Sequence, residues 1–378
     1  MICLKKIKKI KLKDGYVKVL KIVGIIICIF LGMYLFYIRE VSLLRKIGYS
    51  KLASKNILFS FNKEYVLSIG ENKTLNKAYE SKYFNEKYMD NYTKIKYFNQ
   101  KDLIKNINKL LEIGYSNSDI NLILAHGNND SVTRFTKREK IKYLEEFFNV
   151  SFAKLDNYDR YVTYSDETGE DEETTVLFVN LNMDREAYTE SQLIEEFSVD
   201  MLINKHRNLN KDFVPENLSK IDSKYASEDG MKASRLAINA FIEMSKAAKK
   251  DDMDIVINSA YRSYEDQEKI SNTYLELYGQ GYVDKYVAKP GFSEHQTGLC
   301  FDIGSRNSKV FAESNEYKWM LENAYKYGFI LRFPKKYELI TGFRSEPWHY
   351  RYVGKNIAKV IHDEDITLEE YFVRNLDK

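Results

Sequence analysis

The stretch KPGFSEHQTGLCFDIG, residues 289–304, holds one of the five histidines, one of the three cysteines and an aspartate seven residues after that histidine. Gly298 suits the end of a turn, and LCFDI after it alternates as a strand. Leu299, Phe301 and Ile303 take one face, and Cys300 and Asp302 the other. His295 arrives from the preceding loop.

From about Phe197 onward the signals alternate. EDGMKASRLAINAFIEMSKAAKK (228–250) has helical spacing, with Leu236, Ala240, Ile242 and Met244 as its apolar side. MDIVINSAYRS (253–263) reads as a buried strand ending in polar residues, YEDQEKISNTYLELYGQG as a helix stopped by glycines, and Glu316–Tyr327 as a further helix. WHYRYVG closes the set as a strand, and SVDMLINKHR opens it as a short one. Strands mixed with segregated helices predict an α+β fold with an antiparallel sheet and flanking helices.

Polar residues gather at three places: Ser259-Ala-Tyr-Arg-Ser263, Ser293-Glu-His295 through Asp302, and SEPWHYRYVG from Ser345. They offer two histidines, an aspartate, a glutamate and an arginine, the set required for metal-assisted hydrolysis. Adjacent strands can present Asp302 and His349 to one point. Glu346 lies three residues before His349, which a continuous strand sends to the opposite face. Pro347 holds it in extended backbone, so a bend on the approach to the strand is needed to aim it at the metal.

With these residues in place, FSEHQTGLCFDIG and EPWHYRYVG resemble the Ser-x-His-x6-Asp and Glu-x-x-His motifs of zinc D-Ala-D-Ala carboxypeptidases of the VanY type. The wider group holds D-Ala-D-Ala dipeptidases, lysostaphin-like peptidases and hedgehog domains. INSAYRSYEDQ is similar to that family's arginine-bearing segment, LINKHRNL…FVPENL to its domain entry, and NYDRYVTY…VLFVNLNMDREAYT to a lead-in; the likeness spans roughly 158–362. The resemblance implies Zn2+ on His295, Asp302 and His349, Glu346 as general base and then proton donor, and Arg262 holding the carbonyl oxygen. Ser293, Ser259 and Gln267 would help hold the peptide. Cys300 shares the ligand face, but three ligands suffice and the family has a small residue there; it reads as packing. His206 and His362 match no such position and read as surface or turn residues. The implied activity is cleavage of terminal D-Ala-D-Ala from peptidoglycan stem pentapeptides. The alternatives are an L,D cut on tetrapeptide stems or a non-catalytic zinc-containing wall-binding protein.

Upstream, residues 1–21 carry eight lysines and one aspartate, +7, so the rest of the chain totals −4 against the overall +3. A mildly acidic body lacks the basic face of a nucleic-acid binder. Residues 22–38, IVGIIICIFLGMYLFYI, are without charge, long enough to span a bilayer when Lys18 and Lys21 snorkel. The residues that follow, REVSLLRK, do not suit a cleavage site, which predicts a retained transmembrane anchor. The flanking lysines predict a cytoplasmic N-terminus and residues 39–378 outside the cell. Cys300 then stands alone in the exported part, with no disulfide open to it.

Residues 39–157 read as a helical repeat and stalk region. LLRKIGYSKLASKNILFS from Leu43 and LLEIGYSNSDINLILAHG from Leu110 share a Gly-Tyr-Ser turn, in which Gly48 and Gly114 end one helix and Ser50 and Ser116 cap the next. His126 reads as a loop residue. Residues 158–181 read as a β-hairpin, with strands Tyr161–Tyr164 and Thr174–Val179 around a loop of six carboxylates lacking calcium-loop spacing. This hairpin lead-in extends to 196, the zinc peptidase domain covers 197–365, and 366–378 is a tail. Ser60-Phe-Asn-Lys63 and Ser151-Phe-Ala-Lys154 fit Ser-x-x-Lys, but no Lys-Thr-Gly accompanies them, so a serine penicillin-binding mechanism is not supported.

Overall fold

The computed structural model describes residues 14–376. Most of the basic segment predicted over 1–21 therefore lies outside the described residues. The chain divides into two compact units between Glu145 and Glu146.

The first unit opens with helix α1 (Asp14–Lys46), long and apolar enough to cross a membrane, its apolar stretch fully exposed. Its last turns change character: Leu44 is buried, as is Glu40, which pairs with Lys63 at 2.9 Å. Short capped helices follow. Ser50 caps Lys51–Phe59 by accepting from the Ala53 amide, and Ser116 forms a capping box with Asp119 at the start of Asn117–His126. Gly48 and Gly114 both adopt positive φ in the turns between. Asparagine amides staple successive turns: Asn56, Asn108 and Asn121 donate to the carbonyls of Tyr79, Tyr83 and Lys94, 23 to 27 residues away. His126 ends a helix rather than occupying a loop.

The segment expected to be a β-hairpin is a helical pair, α2 (Tyr158–Thr168) and α3 (Glu172–Asn180). Gly169 closes α2 in the left-handed region, and Asp171 caps α3 by accepting from the Thr174 amide. Glu172 and Glu173 then sit in the first turn, where carboxylates favour a helix N-terminus. The acidic cluster is thus a cap, which outweighs the β-branched residues after it. Leu177 and Phe178 of α3 join Ile330, Val353 and Ile361 in one apolar cluster, so this pair is built into the second unit.

The main sheet has four antiparallel strands: β1 (Ile255–Ser259), β2 (Cys300–Ser305), β3 (Phe329–Phe333) and β4 (Glu346–Tyr352), in the order β1-β2-β4-β3. Helix α4 (Arg235–Lys250) covers one face, where Ala237, Phe241, Met244 and Ala248 meet Ile255, Ile257, Phe301 and Ile303. The Phe241 and Phe301 rings are 5.6 Å apart, edge to face. Leu236, assigned to the buried side from the sequence, is exposed instead. The α4 helix also begins later than expected, because Lys232–Ser234 is a short strand paired with Leu218–Lys220. The segment read as the strand SVDMLINKHR is irregular at Met201–Ile203; the ladder there is a parallel one between Gln192–Ile194 and Arg207–Leu209. His206 is buried in the turn before that ladder, and His362 stacks on Tyr325 at 3.7 Å.

Candidate metal and substrate site

Alternation along β2 turns Phe301 and Ile303 to the helices and Asp302 to the opposite face. The register pairs Asp302 with His349 and Cys300 with Arg351 across β2 and β4. His295 comes from the 3-10 turn Glu294–Thr297, which Ser293 caps and Gly298 closes at φ +66°. A Cβ at Gly298 would stand 3.0 Å from the Ser234 amide nitrogen, so the turn that delivers His295 needs glycine.

Three donor atoms converge. His295 Nε2 lies 3.4 Å and His349 Nδ1 3.3 Å from Asp302 Oδ1. A tetrahedral zinc with N and O ligands at about 2.0–2.1 Å has ligand–ligand edges of about 3.3–3.4 Å. Among the described residues His295 Nε2 and Asp302 Oδ1 are buried without a hydrogen-bond partner, so both lone pairs are open to a cation. His295 Nδ1 meets the Ala260 carbonyl at 2.6 Å, which fixes the proton there and leaves the Nε2 lone pair available to a metal. The residues therefore fit a zinc ion. Burial pushes the Asp302 carboxyl up, but the two histidines outweigh that and hold it well below its ordinary value.

Glu346 reaches the same point through a break in the ladder. Leu331 pairs with Tyr350, yet Phe333 pairs with Glu346, so two steps on β3 match four on β4. This irregularity around Pro347 sets Glu346 Oε2 3.5 Å from His349 Nδ1. Burial raises the Glu346 carboxyl above its ordinary value, with Asp302 adding to the rise against the pull of His349. Arg262 Nη2 lies 3.5 Å from Asp302 Oδ2, and its Nη1 donates to Gln267 Oε1 at 2.7 Å. Gln267 in turn donates to the Ala288 carbonyl, which locks the pair. Arg262 Nε is buried with no acceptor among the described residues.

These groups line a cavity of about 320 Å³ that also receives Ser293, Phe333, Phe343 and Trp348. Ser259 pairs with Asp302 in the ladder and is not among the lining residues. Cys300 is fully buried, and one donor atom from each of His295, Cys300 and His349 falls within 4.8 Å of the others. Burial raises its thiol, but His295 and His349 beside it more than reverse this, to about 7. Asp302 has the tetrahedral spacing to both histidines, and that makes it the better third ligand.

The sequence assigned no role to Glu294, and the structure does. Its Oε1 accepts from Arg332 Nε at 2.8 Å and Arg351 Nη1 at 2.9 Å, all three side chains buried. Its Oε2 faces His349 Nε2 at 3.4 Å, on the far side of that ring from the donor atom. Arg332 is held in turn by both oxygens of Glu369, at 2.9 and 2.6 Å. Burial opposes the charge on Glu294, but the two arginines hold its carboxyl far below the ordinary range. No local motif announces this relay; only the apolar context of Arg351 and the carboxylate beside His295 hint at it.

Comparison with known proteins places this geometry in context. A VanY family profile, described as D-alanyl-D-alanine carboxypeptidase, matches residues 231–355. A putative carboxypeptidase, YodJ, of Bacillus subtilis (strain 168) is 43% identical over 179 residues, covering 45% of this chain and 66% of the relative. A D-alanyl-D-alanine carboxypeptidase of Enterococcus faecalis is 39% identical over 139 residues, covering 34% of this chain and 51% of the relative. The chain thus spans less than two thirds of the length of each of these curated relatives. A solved LdcB LD-carboxypeptidase is 39% identical with a TM-score of 0.45, covering 50% of this chain and 92% of that one.

Proposed function

The chain belongs to the VanY family of D-alanyl-D-alanine carboxypeptidases through residues 231–355, and from that premise we propose that it is a zinc carboxypeptidase of peptidoglycan stem peptides. The observation that carries the reading is the triad of His295, Asp302 and His349 at tetrahedral spacing, with Glu346 and Arg262 beside it. A zinc ion held there would supply Lewis acidity, polarising the scissile carbonyl and acidifying the attacking water. The Glu346 carboxylate takes the proton of that water as its oxygen bonds to the carbonyl carbon. Its raised proton affinity suits it to hold that proton and pass it to the amine nitrogen as the C–N bond breaks. Arg262, permanently charged and fixed by Gln267, donates to the carbonyl oxygen as negative charge builds on it. Ser293, on the cavity wall, helps hold the peptide.

The substrate is the terminal D-Ala-D-Ala of the pentapeptide stem, released as D-alanine. Helix α1 anchors the chain in the cell membrane by one pass, with the N-terminal lysines in the cytoplasm and the second unit outside the cell. The test is D-alanine release by the full chain, loaded with zinc in detergent micelles, from matched penta- and tetrapeptides. Glu346→Gln should lower the rate by about 10²–10⁴-fold while zinc content stays at wild type. Release from the tetrapeptide alone would make the enzyme an L,D-carboxypeptidase. Release from neither would leave a wall-binding protein.

A further inference from the structure

Helix α5 (Tyr264–Tyr278) meets helix α6 (Gln280–Tyr286) at Gly279, whose φ of +79° turns the chain back on itself. Tyrosines fall at 274, 278, 282 and 286, every fourth position across that corner. The turn stacks Tyr282 on Tyr274 at 5.9 Å and 5°, and sets it tilted against Tyr278 at 4.7 Å and 31° and against Tyr286 at 4.6 Å and 32°. Tyr274, Tyr282 and Tyr286 line the cavity that holds the metal ligands, and Trp348 stands on the same wall. Tyr278 carries the strip beyond the cavity and is 59% exposed. Leu275 and Leu277 beside it are exposed as well. Tyr274, Tyr278 and Tyr286 are exposed around the half-buried Tyr282, and such a cluster of aromatic rings departs from ordinary surface composition and marks a contact surface.

We propose that this strip is a platform for the amino-sugar ring to which the stem peptide is attached. The proposal rests on the carboxypeptidase reading, since the sugar is the part of that substrate lying beyond the peptide. A stem seated with its scissile bond at the candidate metal site would leave along the cavity wall, and four extended residues reach at most about 14 Å. The tyrosine strip begins on that wall and leads outward from it. Its chemistry selects the occupant. A pyranose offers a flat C–H face edged by hydroxyls, which matches tyrosine faces edged by phenolic oxygens. A peptide backbone instead requires fixed donors and acceptors, which ring faces do not provide.

The test compares the stem pentapeptide with its N-acetylmuramyl derivative, using the zinc-loaded full chain in detergent micelles. Wild-type protein should show a roughly fivefold to tenfold lower KM for the sugar-bearing substrate, the size of one good aromatic contact. Tyr278→Ala should erase that preference and leave kcat/KM for the bare peptide unchanged, while Tyr278→Phe keeps it. An equal loss on both substrates would put the peptide on the rings and overturn the proposal, as would no loss on the sugar-bearing one. A binding arm separates this from the parent reading. Glu346→Gln protein, titrated calorimetrically with both ligands, should prefer the sugar-bearing one, and adding Tyr278→Ala should abolish the preference. If neither ligand is cleaved by wild type, the carboxypeptidase reading falls and the binding arm still decides the platform; no preference there overturns it.

Discussion

Glu294→Gln separates two roles that one carboxylate performs. The substitution preserves shape and removes charge. Arg332 keeps its two-oxygen partner Glu369, but Arg351 keeps only the carbonyls of Val199, Met201 and Tyr352. One buried cation loses its counter-charge, and breaking a buried pair in this way costs about 3–5 kcal/mol. For a unit of this size, roughly 2–4 °C per kcal/mol applies, so the melting transition of the second unit should fall by roughly 6–20 °C. Separately, Oε2 no longer offers a charge to His349 Nε2, and loss of such a partner behind a metal-bound histidine lowers affinity by about 10–100-fold. Glu369→Gln is the control: it breaks the outer pair with Arg332, should cost similar stability, and should leave zinc affinity alone. The assays are circular-dichroism melts of the metal-free protein and zinc competition against a chromophoric chelator, the latter well below the melting range. Wild-type zinc affinity in Glu294→Gln, or equal weakening in Glu369→Gln, would refute the assignment of His349 orientation to Glu294.

The same carboxylate sets a pH dependence. Its folded proton affinity is depressed, so its stabilisation is complete above the ordinary value near 4.5 and drains away as pH falls below it; melts from pH 7 to 3 should show an acid limb that Glu294→Gln flattens. Cys300→Ala should retain one zinc per chain by elemental analysis and nearly wild-type D-alanine release, because the proposed site takes its third donor from Asp302, 3.4 and 3.3 Å from the two histidine nitrogens; loss of metal would make the thiol a ligand.

The metal-ligand candidates were legible because their order is local. His295 and Asp302 sit seven residues apart on a turn and a strand, and His349 follows on a strand whose register brings it opposite. The closing bend at Glu346 was legible from Pro347, since a proline there interrupts regular pairing. The relay behind His349 was not, because Arg332 and Glu369 lie 38 and 75 residues from Glu294 and meet only through tertiary packing. Helices α2 and α3 were misread although Gly169 and Asp171 both signal helix ends. There the run Thr174–Val179 argued for strand by composition, and capping chemistry with burial against Ile330 and Ile361 decided otherwise.

Helix α1 runs without a break from its apolar stretch into residues buried in the first unit, and Glu40, two positions after Ile38, is already locked to Lys63. There is no swivel between the two. For a helix seated in a bilayer, the tilt of that helix then becomes the tilt of the helical unit, and rotation about the helix axis becomes its compass bearing. Were the helix so seated, the first unit would be a rigid footing close to the lipid surface rather than a cargo on a leash. Its orientational freedom is the two angles of one rod, and lipid thickness, by changing the rod's lean, would aim the whole unit.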